Sequence, residues 1–168
     1  MGFLVAAELT ARWGLGKARE RFRGQIVEGR LPATGKGGRL PRVAILCPQT
    51  YMNDSGRSVG PARGSFKLAL DRVLVVYDEI DLPFGEIRTR LGGGLAGHNG
   101  LKSLKRELGS PDFVRVRVGV GRPDSTDPEI VSAHVLGRFA ESPSEVAELV
   151  GRACDEVERI VLGGEPAS

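Results

Sequence analysis

Histidine and cysteine are both scarce in this chain of 168 residues, which has two of each. Cys47 and Cys154 are far apart and match no metal-ligand spacing, so we expect free thiols in a reducing cytoplasm and neither a metal nor a disulfide. No apolar run approaches the roughly 18 residues of a membrane-spanning helix, and the first residues lack the basic stretch of a secretory signal. These absences predict a cytoplasmic protein that is not attached to a membrane.

The composition predicts one domain over residues 1–168. An apolar content of 40% in a chain of this length is enough for one buried core and too little for two. The net charge of +3 and the pI near 9.1 permit a polyanionic partner without requiring one. Because arginines cluster early in the chain and again between Arg88 and Arg122, a basic face is expected.

Strand and helix patterns alternate along the chain. Strands are predicted over residues 21–28, 43–47, 73–77, 86–91 and 113–120, and helices over residues 2–14, 54–70, 101–108 and from Ser142 onward. The last helix begins with a Ser-Pro-Ser-Glu capping box. This alternation predicts a three-layer α/β globule with a twisted β-sheet flanked by helices. The sheet is expected to be mixed, because the strands on either side of Pro83 are joined by few residues.

The densest polar chemistry lies in residues 77–100. Asp78 ends a buried apolar strand, where it either caps a turn or orients a base. Gly92–Gly97 satisfies the G-x-G-x-x-G pattern of dinucleotide-binding loops, but the acidic residue expected about 20 positions later is not convincingly present. A loop that merely allows an awkward turn is the alternative. His98 and Asn99 at its exit can donate and accept hydrogen bonds at a helix N-terminus.

A second polar segment, Tyr51, Met52 and Asn53, follows another predicted strand. Its loop can open onto the same edge of the sheet as Asp78. Asn53 can instead be a simple helix cap, and the sequence leaves both interpretations open.

Arginines alternate with apolar residues along two predicted strands, so that each pair projects from one face. The pairs are Arg88 with Arg90 and Arg115 with Arg117. The strand over residues 113–120 is expected to be half-exposed with a basic outer face. Such a face either is simply solvated or binds phosphate groups.

Four segments together closely resemble the bacterial peptidyl-tRNA hydrolase family. They are Pro48–Gly56, Asp78–Gly85, Gly92–Gly100 and Phe113–Pro123, and they occur in the family's order at compatible spacing. The resemblance extends from about Gly2 to the C-terminal helix. It implies a monomeric α/β enzyme, without metal or organic cofactor, that cleaves the ester joining a peptide to the 3′ end of tRNA. Its partner would be peptidyl-tRNA, and the released tRNA could be used again.

The resemblance also implies three sets of site residues. The catalytic set is Asn53, Asp78 and His98. The substrate-binding set is Tyr51, Met52, Asn53 and Asn99. The set for the tRNA 5′-phosphate is Arg88, Arg90 and Arg117. In these sets Asn53 would position the water or the developing oxyanion, Asp78 would orient the family's catalytic histidine, and His98 with Asn99 would hold the peptide.

The chain departs from the family's pattern at its start. The family begins with a core strand, an Asn-Pro-Gly turn and a Thr-Arg-His-Asn segment whose histidine is the general base, followed by a Gly-Phe helix start. Here Met1 directly precedes Gly2 and Phe3. Either the reading frame begins further upstream, which is the interpretation we favour, or the chain is a truncated homologue. Loss of a general base predicts a defect of about 10²- to 10⁴-fold for these residues alone.

Two further functions remain open. A non-catalytic protein that binds tRNA or the ribosome would keep the basic face and would bind uncharged tRNA with a steep salt dependence. A nucleotide-binding oxidoreductase, which the glycine loop suggests, would bind a nicotinamide or flavin cofactor.

Overall fold

The computed structural model describes residues 1–32, 40–136 and 139–166. The helices are α1 (Gly2–Arg12), α2 (Gly56–Phe66), α3 (Asn99–Leu108), α4 (Pro128–Leu136) and α5 (Pro143–Val161). The strands are β1 (Arg19–Arg21), β2 (Gly24–Arg30), β3 (Arg42–Pro48), β4 (Leu74–Glu79), β5 (Ile87–Leu91) and β6 (Val114–Gly119). Gly35, Gly37 and Gly38 indicate a loop between the first two predicted strands, and the sequence around His134 indicates a packing or surface residue. That loop and the side chain of His134 lie outside this description. No helix of the described ranges is long and apolar enough to cross a membrane.

The strands form two sheets of three strands each. In the first sheet β1, β2 and β3 are antiparallel. In the second sheet β6 is central and pairs in parallel with β4 and antiparallel with β5. The α/β class with a mixed sheet and flanking helices is therefore confirmed, while the predicted single sheet is divided into two. β3 is an edge strand of the first sheet and β4 is an edge strand of the second sheet, and both contact α1.

The main core lies where α1 and α5 pack on both sheets. Val5 and Leu9 of α1 meet Leu149 and Ala153 of α5, and Val116 of β6 reaches the same cluster from the second sheet. The predicted capping box at the start of α5 is present, with mutual hydrogen bonds between the first and fourth residues of the motif. A smaller core lies on the opposite face of the second sheet, beneath α3.

The strand predicted to be half-exposed is in fact the centre of its sheet. β6 has neighbours on both sides, and Arg115 is only 1% exposed. The period-two alternation was correctly inferred, with valines on one face and arginines on the other. The prediction of an exposed basic face is wrong for Arg115, because the glycine loop before α3 covers that part of the strand.

Local signals explain two other differences from the sequence prediction. The segment 21–28, predicted as one strand, is broken at Phe22 and Arg23, which adopt left-handed φ angles of 55° and 54° and turn β1 back onto β2. The segment between β6 and α5 is rich in proline, aspartate and serine, which predicts a loop, but it contains α4. Asp127 accepts a hydrogen bond from the backbone N–H of Glu129 at the start of this helix, with proline at its first position.

Glycines recur every fourth residue along α2, and their contacts loosen along the helix. A Cβ added at Gly56 would lie 2.7 Å from the carbonyl carbon of Ser103 in α3, whereas one at Gly64 would have no neighbour within 4 Å. The backbone N–H of Gly56 also donates to the Ser103 hydroxyl over 2.9 Å. Gly56 therefore allows the close crossing that sets the preceding residues, 52–54, against α3.

Substitution of Gly56 tests this crossing. Gly56→Ala is expected to destabilise the fold by about 1–3 kcal/mol, because the helices must move apart to admit a methyl group. Gly64→Ala is the matched control, and it is expected to stabilise by up to about 1 kcal/mol because alanine is the better helix former. Urea denaturation followed by circular dichroism measures both changes. Equal shifts of the two midpoints would contradict a close contact at Gly56.

Candidate active site

Three segments meet beside the second sheet: the carboxyl end of β4, the loop before α3, and the 3₁₀ turn Met52–Asp54. The loop before α3 and the 3₁₀ turn approach each other at Gly100. A Cβ added there would lie 2.7 Å from the sulfur of Met52 and 2.9 Å from Cε1 of His98. Arg106 of α3 also donates to the backbone carbonyl of Asn53 over 3.4 Å. Two predicted site segments distant in sequence are thus in contact through α3.

His98 is the N-cap of α3. Its Nδ1 accepts a hydrogen bond from the backbone N–H of Leu101 over 3.2 Å, so the neutral ring carries its proton on Nε2. The ring packs edge-on against Tyr77, with centroids 5.0 Å apart. Burial lowers the pKa of His98, partly opposed by the negative charges of Glu79 and Asp78. In this tautomer His98 presents an N–H donor to the site rather than a base.

Asp78 lies at the carboxyl end of β4 and is largely buried. Its Oδ1 lies 3.0 Å from the Met1 ammonium group, although it makes no hydrogen bond of good geometry to any described group. The negative charges of Glu79 and Asp78 both act on the His98 ring. Neither carboxylate takes the place of Leu101 at Nδ1. Asp78 therefore lies beside the backbone nitrogen of Met1 and close enough to His98 for its charge to act on that ring.

The remaining predicted substrate residues are open to solvent. Asn53 and Asn99 are exposed, and Tyr51 is 84% exposed. The N-cap of α2 is Ser55, so the interpretation of Asn53 as its cap is not supported. Beside Tyr51 lies a cavity of about 440 Å³. Its lining residues are Arg23, Gln49, Thr50, Tyr51 and Asp54.

Four guanidinium groups share one face of the second sheet. Arg88 lies opposite Arg117 in the register of β5 and β6, and Arg90 lies opposite Arg115. Residues opposite each other across antiparallel strands project to the same side. Tyr77 of β4 is aligned with Arg117 and so joins the same face. The arginines thus converge beside the ring that contacts His98.

Ion pairs neutralise part of this face. Arg117 lies 3.4 Å from Glu79, and Arg88 lies 2.5 Å from Glu86. Arg90 borders Gly93, where an added Cβ would lie 2.6 Å from its Nε. Arg90, Arg117 and Glu79 line a cavity of about 320 Å³. The lining residues are Tyr77, Glu79, Arg90, Gly94, Leu95, Ala96, Leu101, Arg115 and Arg117.

The glycine loop does not lie in a dinucleotide-binding unit. The strands on either side of the loop and α3 are β5 and β6, and they run antiparallel. A dinucleotide fingerprint requires parallel strands with the helix as crossover. Within the described ranges no group of three metal-ligating side chains lies together.

Replacing His98 by asparagine tests its role as helix cap. The folded-state pKa of His98 lies below the ordinary histidine value of 6.5, so the unfolded chain binds more protons at mildly acidic pH. Stability from the neutral cap should be lost as pH falls below about 6.5. His98→Asn keeps an N-cap acceptor without the titration, and is expected to remove this part of the pH dependence. Urea midpoints between about pH 7.5 and 5.5 measure it, and parallel profiles of the two proteins would contradict it.

Comparisons with known proteins agree on one family. A sequence profile described as peptidyl-tRNA hydrolase matches residues 1–167. A peptidyl-tRNA hydrolase of Rhodopseudomonas palustris (strain BisB18) is 42% identical over 168 residues, which are 100% of this chain and 79% of that protein. Another from Geobacillus kaustophilus is 43% identical over 96% of this chain and 82% of its own. The crystal structure of peptidyl-tRNA hydrolase from Acinetobacter baumannii superposes with a TM-score of 0.76 at 35% identity, covering 96% of this chain and 78% of that one.

The protein has an α/β fold with a mixed sheet, and polar groups lie at the carboxyl end of β4. Enzymes of the α/β class commonly have their active sites at this edge of the sheet. The chain belongs to the peptidyl-tRNA hydrolase family, whose members are hydrolases. The resemblance carried by the four sequence segments is thereby confirmed.

Proposed function

We propose that this protein hydrolyses the ester between peptide and tRNA in peptidyl-tRNA. The observation that carries the proposal is that the family's motif segments converge on one cleft, where Met52 and His98 meet at Gly100 beside an arginine-lined cavity. The cleft would take the ester and the cavity would take a phosphate group of the tRNA. Peptidyl-tRNA would thus be held at both its acyl and its nucleic-acid part.

The chemistry needs little beyond positioning, because an ester already has a good leaving group. A water must be held in line with the carbonyl carbon, a base must take its proton, and donors must stabilise the oxyanion. Asn53 is exposed at the cleft and would supply donors for the water or the oxyanion. His98, with its proton on Nε2, would donate to the substrate, and Asn99 would help to hold the peptide. Met52 and Tyr51 would line the pocket.

Arginine side chains of the second sheet would bind the tRNA 5′-phosphate. A guanidinium fork matches phosphate oxygens in pairs, and Arg90 and Arg117 line the same cavity. Arg88 is exposed and would support them from the edge strand. The ion pair of Arg117 with Glu79 orients its guanidinium while leaving the cavity's cations in excess.

We further propose that a polypeptide of these 168 residues alone is catalytically impaired. Asp78 faces the Met1 ammonium instead of an imidazole, and the Nδ1 lone pair of His98 is used by Leu101. Neither group is then arranged as a base for the water. The same observations favour a second candidate function, binding of tRNA without cleavage of the ester.

Incubation with a purified N-acylaminoacyl-tRNA tests the proposal. Slow release of the acyl-amino acid, faster than in buffer and proportional to protein concentration, is expected. Release at the buffer rate combined with salt-dependent binding of uncharged tRNA would favour the binding function instead. Neither release nor binding would overturn both candidates.

A further inference from the structure

Arg115 is the one fully buried charged side chain of the described chain, at 1% exposure. It lies on β6, the central strand of the second sheet. Its guanidinium lies 5.0 Å from the centroid of the Phe113 ring. Since Val116 and Val118 of the same strand pack in the main core, Arg115 projects to the opposite face, beneath the glycine loop.

The guanidinium of Arg115 binds carbonyl oxygens of two segments. Nη1 donates to Gly94 over 2.5 Å, and Nη2 donates to Gly93 over 2.9 Å and to Pro111 over 3.2 Å. Two of these acceptors lie in the loop Gly92–Gly97, which leads directly into His98. One side chain thus ties this loop to the strand beneath it.

Burial of the Arg115 guanidinium at this position costs free energy. No carboxylate of the described residues lies within ion-pair distance of Arg115, and its Nε has no hydrogen-bond partner. Burial lowers the pKa of Arg115, and the charges of Arg90 and Arg117 act in the same direction. A buried cation that is not paired costs more than an apolar side chain of similar size. Space filling alone would therefore favour methionine or leucine.

The loop has few other attachments. The backbone N–H of Gly92 donates to the carbonyl oxygen of Phe113 over 3.0 Å, and the backbone N–H of His98 donates to the carbonyl oxygen of Leu95 over 2.9 Å. Between these bonds Gly93 adopts a φ of 103° and Ala96 a φ of 47°, both in the left-handed region. A glycine-rich segment has a large conformational entropy to lose, so external anchors are needed to hold one conformation.

We propose that Arg115 is a positioning residue that holds the Gly92–Gly97 loop, and through it the start of α3, so that the His98 ring stays packed against Tyr77, which lines the cavity of the second sheet. Tyr77 connects the two groups directly, because its ring contacts His98 and its phenol interacts with Arg115. The role of His98 toward an acyl substrate rests on the proposed function. The holding of the loop does not.

Arg115→Met tests the proposal by removing the donors while keeping an unbranched side chain. Amide hydrogen exchange in residues 93–98 is expected to accelerate by at least about tenfold, because the loop opens locally. The imidazole of His98, followed by NMR, should titrate at higher pH, since a nearby cation is lost and water gains access. Asp78 and Glu79 still face the ring and act in that same direction. Arg115→Lys keeps the charge without the fork, and should accelerate exchange while shifting the titration less.

Leu104→Ala is the matched control. Leu104 is a buried residue of the smaller core beneath the same loop and makes no hydrogen bond to it through its side chain. This variant should lose stability while loop exchange and the His98 titration stay as in the parent. The proposal is overturned if Arg115→Met leaves both readouts unchanged, or if Leu104→Ala changes them equally. Should Arg115→Met fail to fold, unaltered loop exchange in Arg115→Lys would overturn it. These readouts need no substrate, so a failure of ester cleavage would count against the proposed function alone.

Discussion

The polypeptide of these 168 residues is expected to release peptide from peptidyl-tRNA about 10² to 10⁴ times more slowly than a version carrying the family's histidine segment. The reason is the state of Asp78, whose Oδ1 faces the Met1 ammonium rather than an imidazole. His98 cannot act as the base in its observed tautomer, because its Nδ1 accepts from Leu101 and its Nε2 carries the proton. Such a polypeptide would then retain binding groups and oxyanion donors, with neither Asp78 nor His98 arranged to take the proton from water.

Single-turnover release of an N-acylaminoacyl group from tRNA measures this effect. The comparison protein is the same chain extended at its N-terminus by the strand, the Asn-Pro-Gly turn and the His-Asn segment that the family carries. Asp78→Asn should cost the extended protein most of its rate and should change the 168-residue polypeptide little. Equal rates of the extended and the unextended proteins would contradict the assignment.

Replacing Arg90 and Arg117 together by alanine is expected to weaken tRNA binding about 100-fold. Each charge-assisted contact is worth about 1.5 kcal/mol, which is about tenfold in affinity. Both guanidinium groups line the cavity of the second sheet, where Arg117 is oriented by Glu79. The slope of log affinity against log salt should also fall by about one for each arginine removed.

The 5′-phosphate of the tRNA makes this prediction specific. Removing that phosphate should weaken binding by the parent protein and should leave the affinity of the double variant unchanged. Arg19→Ala combined with Arg30→Ala is the matched control, since it removes two cations from the first sheet. The control should retain most of the affinity and all of the dependence on the 5′-phosphate. A control that loses as much as the Arg90 and Arg117 variant would point to non-specific attraction.

Elements with strong local signals were predictable from the sequence. The capping box at Ser142 and the helical repeat behind it identify α5, and the apolar run Val73–Tyr77 identifies β4. The non-local pairing of strands was not predictable. Nothing in the segment 113–120 shows that β6 is central, yet that placement decides whether Arg115 is solvated or buried. The division into two sheets is non-local in the same way.

The candidate site, too, was only partly predictable from the sequence. The motif segments identified which residues to examine, and the structure brings Met52, Tyr77 and His98 together as neighbours. The hydrogen bond that fixes the tautomer of His98 depends on where α3 begins, and histidine is not among the preferred N-cap residues. The contact between Met1 and Asp78 joins residues that are far apart in the sequence, and no local sequence pattern predicts it.

The most direct test of the acyl site is an NMR titration of the protein with an N-acylaminoacyl-adenosine in which an amide replaces the ester. We expect shifts concentrated on Met52, Asn53, His98 and Asn99, with a second set on Arg90 and Arg117 when the analogue is extended to a 5′-phosphorylated tRNA acceptor stem. Shifts confined to other surfaces, with the His98 imidazole and the Asn53 amide unmoved at saturation, would contradict it.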